Sequence, residues 1–340
     1  MKILHTSDWH IGHNFFKIDR SREFKDFFEW LLKTIQEEGI DILLVSGDIF
    51  DTYNPSNEAL KLYYDFLNRC KELLKKVIII GGNHDSVKNL IAPKEILKIL
   101  DIVVVSGAED DFCEVVEFDD FNIVAISYLR DGILSKNSLK ELYSSKLNKT
   151  KKNIAMGHLT ISGSKFGESE REIGGLETIS NTIFEGYDYV ALGHIHKPQK
   201  ITENIVYSGS PLSLNFNENY KKQIVILESD TMEYKFLEVP KFREFFRLKG
   251  DFEKIKTEIK KLPSESFVEI EFNEVVSSFD LEEIEREDIY IVKKSIPYKT
   301  ITKRVDTKKI TPKDLIQEIF GDDEDFEEIK KIVQRLKDEN

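Results

Sequence analysis

Cysteine is nearly absent: Cys70 and Cys113 are the only two in 340 residues. That argues against a disulfide framework, a cysteine zinc site or an iron–sulfur cluster, and fits a reducing, cytoplasmic setting. No apolar run approaches the roughly 20 residues that a membrane-spanning helix needs. The opening MKILHTSDWH has neither a long apolar stretch nor a small-residue cleavage site, so no signal peptide is expected and Met1 reads as the start of the mature chain. Internal repeats and low-complexity segments are missing too. Positive charge is in short supply, with 49 Lys and Arg against 62 Asp and Glu for a net charge of −13. An acidic total does not favour a nucleic-acid partner, so any such partner has to be met by local charge or by metal ions.

What is present is a large folded protein. The length exceeds one ordinary compact core and suggests two domains with an appendage, and 40% hydrophobic with 11% aromatic residues supplies the core. Short β-branched runs bounded by Gly, Asn or Asp predict strands at 2–7, 41–47, 76–82, 101–107, 121–127, 153–158 and 188–194. Helical patterns lie between several of them, such as Phe24, Phe27, Phe28, Leu31, Leu32 and Ile35. Two later strands, ENIVYSGSP and KKQIVILES, lack intervening helices. The alternation implies a mainly parallel sheet covered by helices, and the later strands a mixed second sheet.

The pattern shifts near Pro240. Strand FREFFRLKG, helix DFEKIKTEIKKL and strands SFVEIEF and EDIYIVKKS read as a small α/β domain. After Thr311 and Pro312, an N-cap and first-turn pair, come a short helix to Phe320, the acidic turn GDDED, and a second helix with Phe326, Ile329, Val333 and Leu336 on one stripe. That is a helical hairpin with an apolar face. The expected division is 1–238, 239–308 and 309–340.

Histidine is scarce, seven in all, yet it is not scattered. Asp8 and His10 follow the first strand in HTSDWHIG, Asp48 the second in VSGDIFD, and Asn83 and His84 the third in IGGNHDS. His158 follows a later strand in MGHLT, and His194 and His196 another in LGHIH. All lie just past strand ends, the edge at which open α/β sheets build their sites. A Gly directly precedes Asp48, Asn83, His158 and His194 and permits the close backbone approach that a ligand cluster requires. Any one of these side chains alone reads as a cap, a turn former or a solvated group. Five of seven histidines in such positions, with only His5 and His13 outside, read as one site. The Asp-x-His and His-x-His spacings place residues i and i+2 on the same side of an extended backbone, where they share an ion or address adjacent ones.

The donors are two carboxylates, one carboxamide oxygen and four or five imidazoles with no thiolate, a set suited to Mn, Fe, Zn or Co. They are too many for one ion. Two ions about 3.5–4 Å apart, bridged by a carboxylate, use them all, attract a phosphate, and supply a nucleophile for in-line attack on phosphorus at neutral pH.

The pattern D-x-H, GD, GNHD, GH, GHxH resembles the calcineurin-like binuclear metallophosphoesterase superfamily, with each element present. MKILHTSDWHIGHNF, SGDIFDTYNPS, GGNHDSVKNL, MGHLTISGS, YVALGHIHKPQ and YSGSPLSLNF further resemble the SbcD family, the nuclease subunits of bacterial SbcCD DNA-repair complexes, over about the first 220 residues. The resemblance implies a four-layer α/β/β/α sandwich of two sheets flanked by helices, followed by a small α/β cap domain and a helical hairpin. It assigns Asp8, His10 and His196 to a first metal, Asp48 as the bridge, and Asn83, His158 and His194 to a second, with manganese as the working metal. It makes His84 a catalytic group that contacts the scissile phosphate and helps protonate the leaving oxygen, with Asp85 orienting it.

The implied activity is 3′ to 5′ exonuclease and endonuclease cleavage of DNA in the processing of broken or hairpin ends. The implied partners are DNA and an SbcC-like ABC-type ATPase, docked on the hairpin, with a homodimer inside a heterotetramer. Residues Leu60, Tyr63, Tyr64 and Leu67 suit a dimer face and equally an intrachain one. Basic stretches at 129–153 and 292–310 fit contacts to the phosphate backbone and fit solvated faces equally well, and the loop at 163–172 is either a substrate loop or a surface one. The alternatives are a small-molecule or cyclic-nucleotide phosphodiesterase, or a protein phosphatase, of the same superfamily, and a non-catalytic scaffold. A scaffold should lack a ligand or His84, and none is missing.

Overall fold

Every β-branched run expected to be extended is a strand in the computed structural model, which describes residues 1–86, 89, 90, 97, 100–108, 111–129, 136–166 and 178–296. Strands β1 (Lys2–Thr6), β2 (Ile42–Ser46), β3 (Lys76–Ile80) and β4 (Ile102–Val105) pair in parallel. The late strand β11 (Gln223–Glu228) joins them antiparallel to β1, and β12 (Tyr234–Glu238) lies antiparallel to β11. The first sheet is therefore itself mixed, in the order β12-β11-β1-β2-β3-β4.

The second sheet has the order β5-β6-β7-β8-β10-β9. Its strands are β5 (Cys113–Glu117), β6 (Phe121–Ile126), β7 (Lys152–His158), β8 (Tyr189–Gly193), β9 (Gln199–Lys200) and β10 (Ile205–Tyr207).

Alternation along each strand makes the layers. On β1 and β2, Ile3, Ile42 and Leu44 face the other sheet and pack with Ile123, Ala125, Ile154, Met156 and Ala191. Leu4, Leu43 and Val45 point the other way, against helices α1 (Ser21–Glu38) and α2 (Asn57–Cys70). The outer face of the second sheet is covered by Leu139 and Tyr143 of α3 (Lys136–Ser145) and by a short 3₁₀ turn at Asn181–Phe184. Three apolar seams between four layers give the expected α/β/β/α sandwich.

Helix α1 buries the stripe expected of it, Phe24, Phe27, Phe28, Leu31, Leu32 and Ile35, each contributing about 1.5–3 kcal/mol on full burial. It stops at Gly39, whose φ of 65° is left-handed and whose N–H turns back to the carbonyls of Gln36 and Ile35. On α2, Tyr63 and Leu67 are buried in the same core, and Leu60 and Tyr64 are half-buried against it. The face weighed for a dimer is thus largely consumed within the chain.

Beyond residue 240, β13 (Phe245–Gly250), β14 (Phe267–Phe272) and β15 (Tyr290–Ser295) form a separate, all-parallel sheet with helices α4 (Phe252–Ile259) and α5 (Ser278–Glu283). It meets the sandwich through Phe15, whose ring lies 5.2 Å from that of Phe245 and 4.9 Å from that of Phe267. Met1–Ser295 is one compact unit. The helical hairpin expected at 309–340 lies outside the described residues, as do residues 297–308 of the expected cap domain. Among the described residues no helix is long and apolar enough to cross a membrane.

Candidate metal centre

The ends of β1, β2, β3, β7 and β8 deliver the expected residues to one place. Convergence demands unusual backbone: Asp8 (φ 52°), His10 (φ 51°), Asp48 (φ 49°) and His194 (φ 99°) all sit in the left-handed region. Non-glycine residues there cost on the order of 1–3 kcal/mol each and persist where the surroundings over-determine them. The loops are laced together by Asp8 N–H to Gly47 O (2.9 Å) and His10 N–H to Asp48 O (3.0 Å). Two glycines let them close up. A Cβ on Gly47 would lie 2.2 Å from His158 Nδ1, and one on Gly82 would lie 2.2 Å from Asp48 Oδ1.

Among the described residues, three groups of side chains have ligating atoms close enough to hold an ion: Asp8, His10 and His196; Asp48, His158 and His194; and His10, Asp48 and His84. Asp48 lies between the first two. Its Oδ2 is 3.7 Å from His10 Nε2 and 3.3 Å from His158 Nε2, while Oδ1 accepts the His84 N–H at 2.9 Å. Asn83 Oδ1 stands 2.9 Å from His158 Nε2 and 2.8 Å from His194 Nδ1. Asp8 accepts the His194 N–H at 2.9 Å and the Ser7 hydroxyl at 2.5 Å. The aromatic ring of Tyr128 lies along that of His194, centroids 6.4 Å apart.

The donor chemistry fits divalent ions. His158 Nδ1 is 2.8 Å from the Ser46 carbonyl, so it carries the proton and leaves a lone pair on Nε2. That lone pair faces the Asn83 oxygen, and His194 Nδ1 is only 3.2 Å away. Three potential donor atoms gathered this closely suit a cation among them. Without one, a proton fills the place: burial would depress His158, but the Asp48 charge outweighs it and lifts the imidazole to about 9. His194, buried and beside a charged His158, is pushed down to about 3. Burial would raise Asp48, yet the surrounding histidines hold it well below the usual carboxylate range.

His10 adds a second sign. It is buried, and neither ring nitrogen has a hydrogen-bond partner. Its Nδ1 is 3.4 Å from Asp51 Oδ1, a charge contact without hydrogen-bond alignment. A buried polar atom left unpaired costs about 1–3 kcal/mol, which metal coordination would offset.

His84 lies at the mouth of this cluster, half-buried, its ring edge-on to that of His10 at 4.9 Å. Asp85 requires a correction. The group on His84 Nδ1 is the carbonyl of Asp51, at 2.8 Å. The Asp85 carboxylate instead accepts the N–H groups of Ile49 (3.0 Å), Phe50 (2.9 Å) and Gly82 (2.8 Å), fastening the β2 and β3 loops together. Burial, with Asp48 nearby, raises this carboxyl to about 6. Neighbours in sequence do not point the same way, and Asp85 turns under the loop while His84 faces the opening.

Two residues the sequence did not single out also line the centre. Asp51 reaches His13 Nδ1 (3.0 Å) as well as His10. Glu218 reaches His196 Nδ1 at 3.1 Å. Asp51, within SGDIFD, had a signal in its nearness to Asp48; Glu218 had none. Of the two histidines set aside, His5 is buried in the sandwich, and His13 supports the rim.

Of the basic stretch at 129–153, Lys140, Lys146 and Lys149 are exposed. Lys151 and Lys152 are tied down on the carbonyls of Phe118 (2.7 Å) and Asp230 (2.5 Å). In the second stretch Lys294 pairs with Glu285 at 3.0 Å. Arg130, residues 167–172 of the loop and residues 297–310 lie outside the described residues.

Residues 1–198 match the family of calcineurin-like phosphoesterases. The SbcD subunit of the SbcCD nuclease of Escherichia coli (strain K12) is 31% identical over 293 residues, 76% of this chain and 73% of that one. The chain belongs to the calcineurin-like phosphoesterases and, among them, to the SbcD family. Other SbcD proteins give similar figures. That of Staphylococcus epidermidis is 31% identical over 280 residues, 75% of this chain and 74% of that one. That of Bacillus subtilis is 30% identical over 259 residues, 67% and 66%. Family membership and fold both agree with the sequence motifs, and the chain is a phosphoesterase.

Proposed function

We propose that this phosphoesterase is a DNA nuclease that hydrolyses phosphodiester bonds at a two-metal centre, with manganese as its metal. The observation that carries the metal assignment is the convergence of Asn83 Oδ1, His158 Nε2 and His194 Nδ1 within 2.8–3.2 Å of one another, beside a buried His10 whose ring nitrogens have no hydrogen-bond partner. In this reading Asp8, His10 and His196 hold one ion, and Asn83, His158 and His194 hold the other, with Asp48 between. Bound there, the ions supply positive charge for the phosphate and a nucleophile at neutral pH.

The chain's own groups do the remainder. The Asp51 carbonyl fixes His84 through Nδ1, which leaves Nε2 as the nitrogen available to contact the phosphate and pass a proton to the leaving oxygen. Asp85 holds the loops and makes no contact with the reacting atoms. The DNA assignment is supported by the relatives, which are nuclease subunits. Likeness to that family extends the proposal to an SbcC-like ATPase as partner, to 3′ to 5′ exonuclease and endonuclease activities, and to the cytoplasm. Residues 239–308 would act as a cap that positions DNA, residues 309–340 as the ATPase dock, and the working assembly would hold two copies of the chain. Lys140, Lys146 and Lys149 are the described candidates for backbone phosphate contacts.

The test is digestion of end-labelled linear duplex DNA with added Mn²⁺, beside bis-p-nitrophenyl phosphate. Both substrates should be cleaved. Cleavage of the small diester alone, still without DNA loss after adding an SbcC-like ATPase, would keep the metal chemistry and remove the substrate.

A further inference from the structure

Glu218 is almost fully buried, and both oxygens of its carboxylate are engaged. Oε1 lies 3.1 Å from His196 Nδ1 and accepts from Asn215 Nδ2 at 3.0 Å. Oε2 accepts the Leu214 N–H at 2.9 Å and the Lys222 ammonium at 2.6 Å, and that ammonium also donates to Ser210 Oγ at 2.8 Å. The same segment holds His196 through its backbone, because Ser210 N–H donates to the His196 carbonyl at 3.0 Å. The Leu214 N–H, the Asn215 amide and the Lys222 ammonium all donate to this carboxylate, which is an acceptor at each of these contacts.

A carboxylate that only accepts decides the tautomer of its partner. The proton of His196 must sit on Nδ1, leaving the Nε2 lone pair for an ion held with Asp8 and His10. We infer that Glu218 is the positioning residue of the first metal site: it fixes the ring plane and tautomer of His196 and increases the basicity of Nε2. The second site does not share it, since His158 is oriented instead by the Ser46 carbonyl. Loss of such a partner typically weakens metal affinity by about 10–100-fold. This rests on His196 being a ligand, as proposed above.

The competing role is a loop pin, in which Glu218 serves only to neutralise buried Lys222. Breaking one half of a buried ion pair is strongly destabilising, whereas removing both halves is tolerated, and the two roles separate on that difference. The measurement is Mn²⁺ binding to metal-free protein by equilibrium dialysis, with thermal stability recorded alongside, for wild type, His196→Ala, Glu218→Gln and the double variant Glu218→Gln/Lys222→Met. Wild type should bind two ions and His196→Ala one. Glu218→Gln should weaken that same site by about 10–100-fold and leave the other unchanged. The double variant should recover stability yet keep the weakened site. Recovery of affinity together with stability, or wild-type affinity in Glu218→Gln, makes Glu218 a loop pin and overturns the inference. Two ions bound undiminished by His196→Ala would instead overturn the ligand assignment beneath it.

Discussion

Replacing His84 by Ala separates the roles of a ligand and a proton donor, because His84 touches the centre in two ways. Its backbone N–H holds Asp48 Oδ1 at 2.9 Å, and this contact survives in Ala. Its ring holds the Asp51 carbonyl at 2.8 Å and packs edge-on to His10. Losing the ring removes one hydrogen bond, worth about 1 kcal/mol net, and one aromatic contact, worth about 0.5–1.5 kcal/mol. Stability should therefore fall by only about 1.5–2.5 kcal/mol, with both ions retained. Turnover should fall by about 10²–10⁴-fold, the usual contribution of a positioned acid, equivalent to roughly 2.7–5.5 kcal/mol of barrier. Metal content after dialysis and kcat on duplex DNA, whose leaving alkoxide needs a proton where the nitrophenolate of the small diester does not, decide it. His84 also lies within ligand distance of His10 and Asp48, so loss of an ion in the variant would make it a ligand and refute this assignment. A kcat within tenfold of wild type would refute the acid role.

Gly82→Ala places a Cβ 2.2 Å from Asp48 Oδ1 and 2.3 Å from its N. It should destabilise by about 1–3 kcal/mol and weaken both metals, as read by dialysis. Gly39→Ala meets nothing within 4 Å; it should cost about 1–2 kcal/mol for its left-handed φ and spare metal binding. His5, whose ring joins Tyr189 Oη (3.0 Å) and the Leu192 carbonyl (3.2 Å), is pushed by burial from 6.5 down to about 3. The unfolded chain therefore binds the extra proton, and stability from neutral His5 is complete above pH 6.5 and lost as pH falls towards 3. At about 1.36 kcal/mol per unit the loss is on the order of 5 kcal/mol, so His5→Gln should show a shallower decline in urea titrations between pH 6.5 and 4 in chelator, and an unchanged slope would refute it. Removing residues 311–340 should abolish co-purification with an SbcC-like ATPase and leave cleavage of the small diester intact; unchanged co-purification would move the dock elsewhere.

The strands and the residues that gather at the candidate centre were legible in the sequence for the same reason. Buried parallel strands need unbroken β-branched runs, and the polar residue that follows a Gly at such a strand end has few places to go except the site. The edge strands β5 and β12 were not legible. Cys113–Glu117 and Tyr234–Glu238 are half-buried and carry Glu114, Glu117, Lys235 and Glu238, so no apolar run marks them. Partners of the ligands escaped for a different reason. Glu218 comes to His196 from a turn-rich segment 22 residues away, and only tertiary packing makes that approach. Adjacency misled once, at Asp85, because consecutive side chains diverge. Backbone strain at Asp8, His10, Asp48 and His194 has no sequence signal at all, since glycine would ordinarily be expected at such φ values.

In the proposed centre seven side chains hold two ions side by side with Asp48 between them. Crystals soaked in Mn²⁺ and measured at the manganese absorption edge test it most directly. Two anomalous peaks about 3.5–4 Å apart are expected, one against Asp8, His10 and His196, the other against Asn83, His158 and His194, and both within reach of Asp48. A single peak, or a peak whose nearest ligands include His84 in place of His196 or His158, would contradict it.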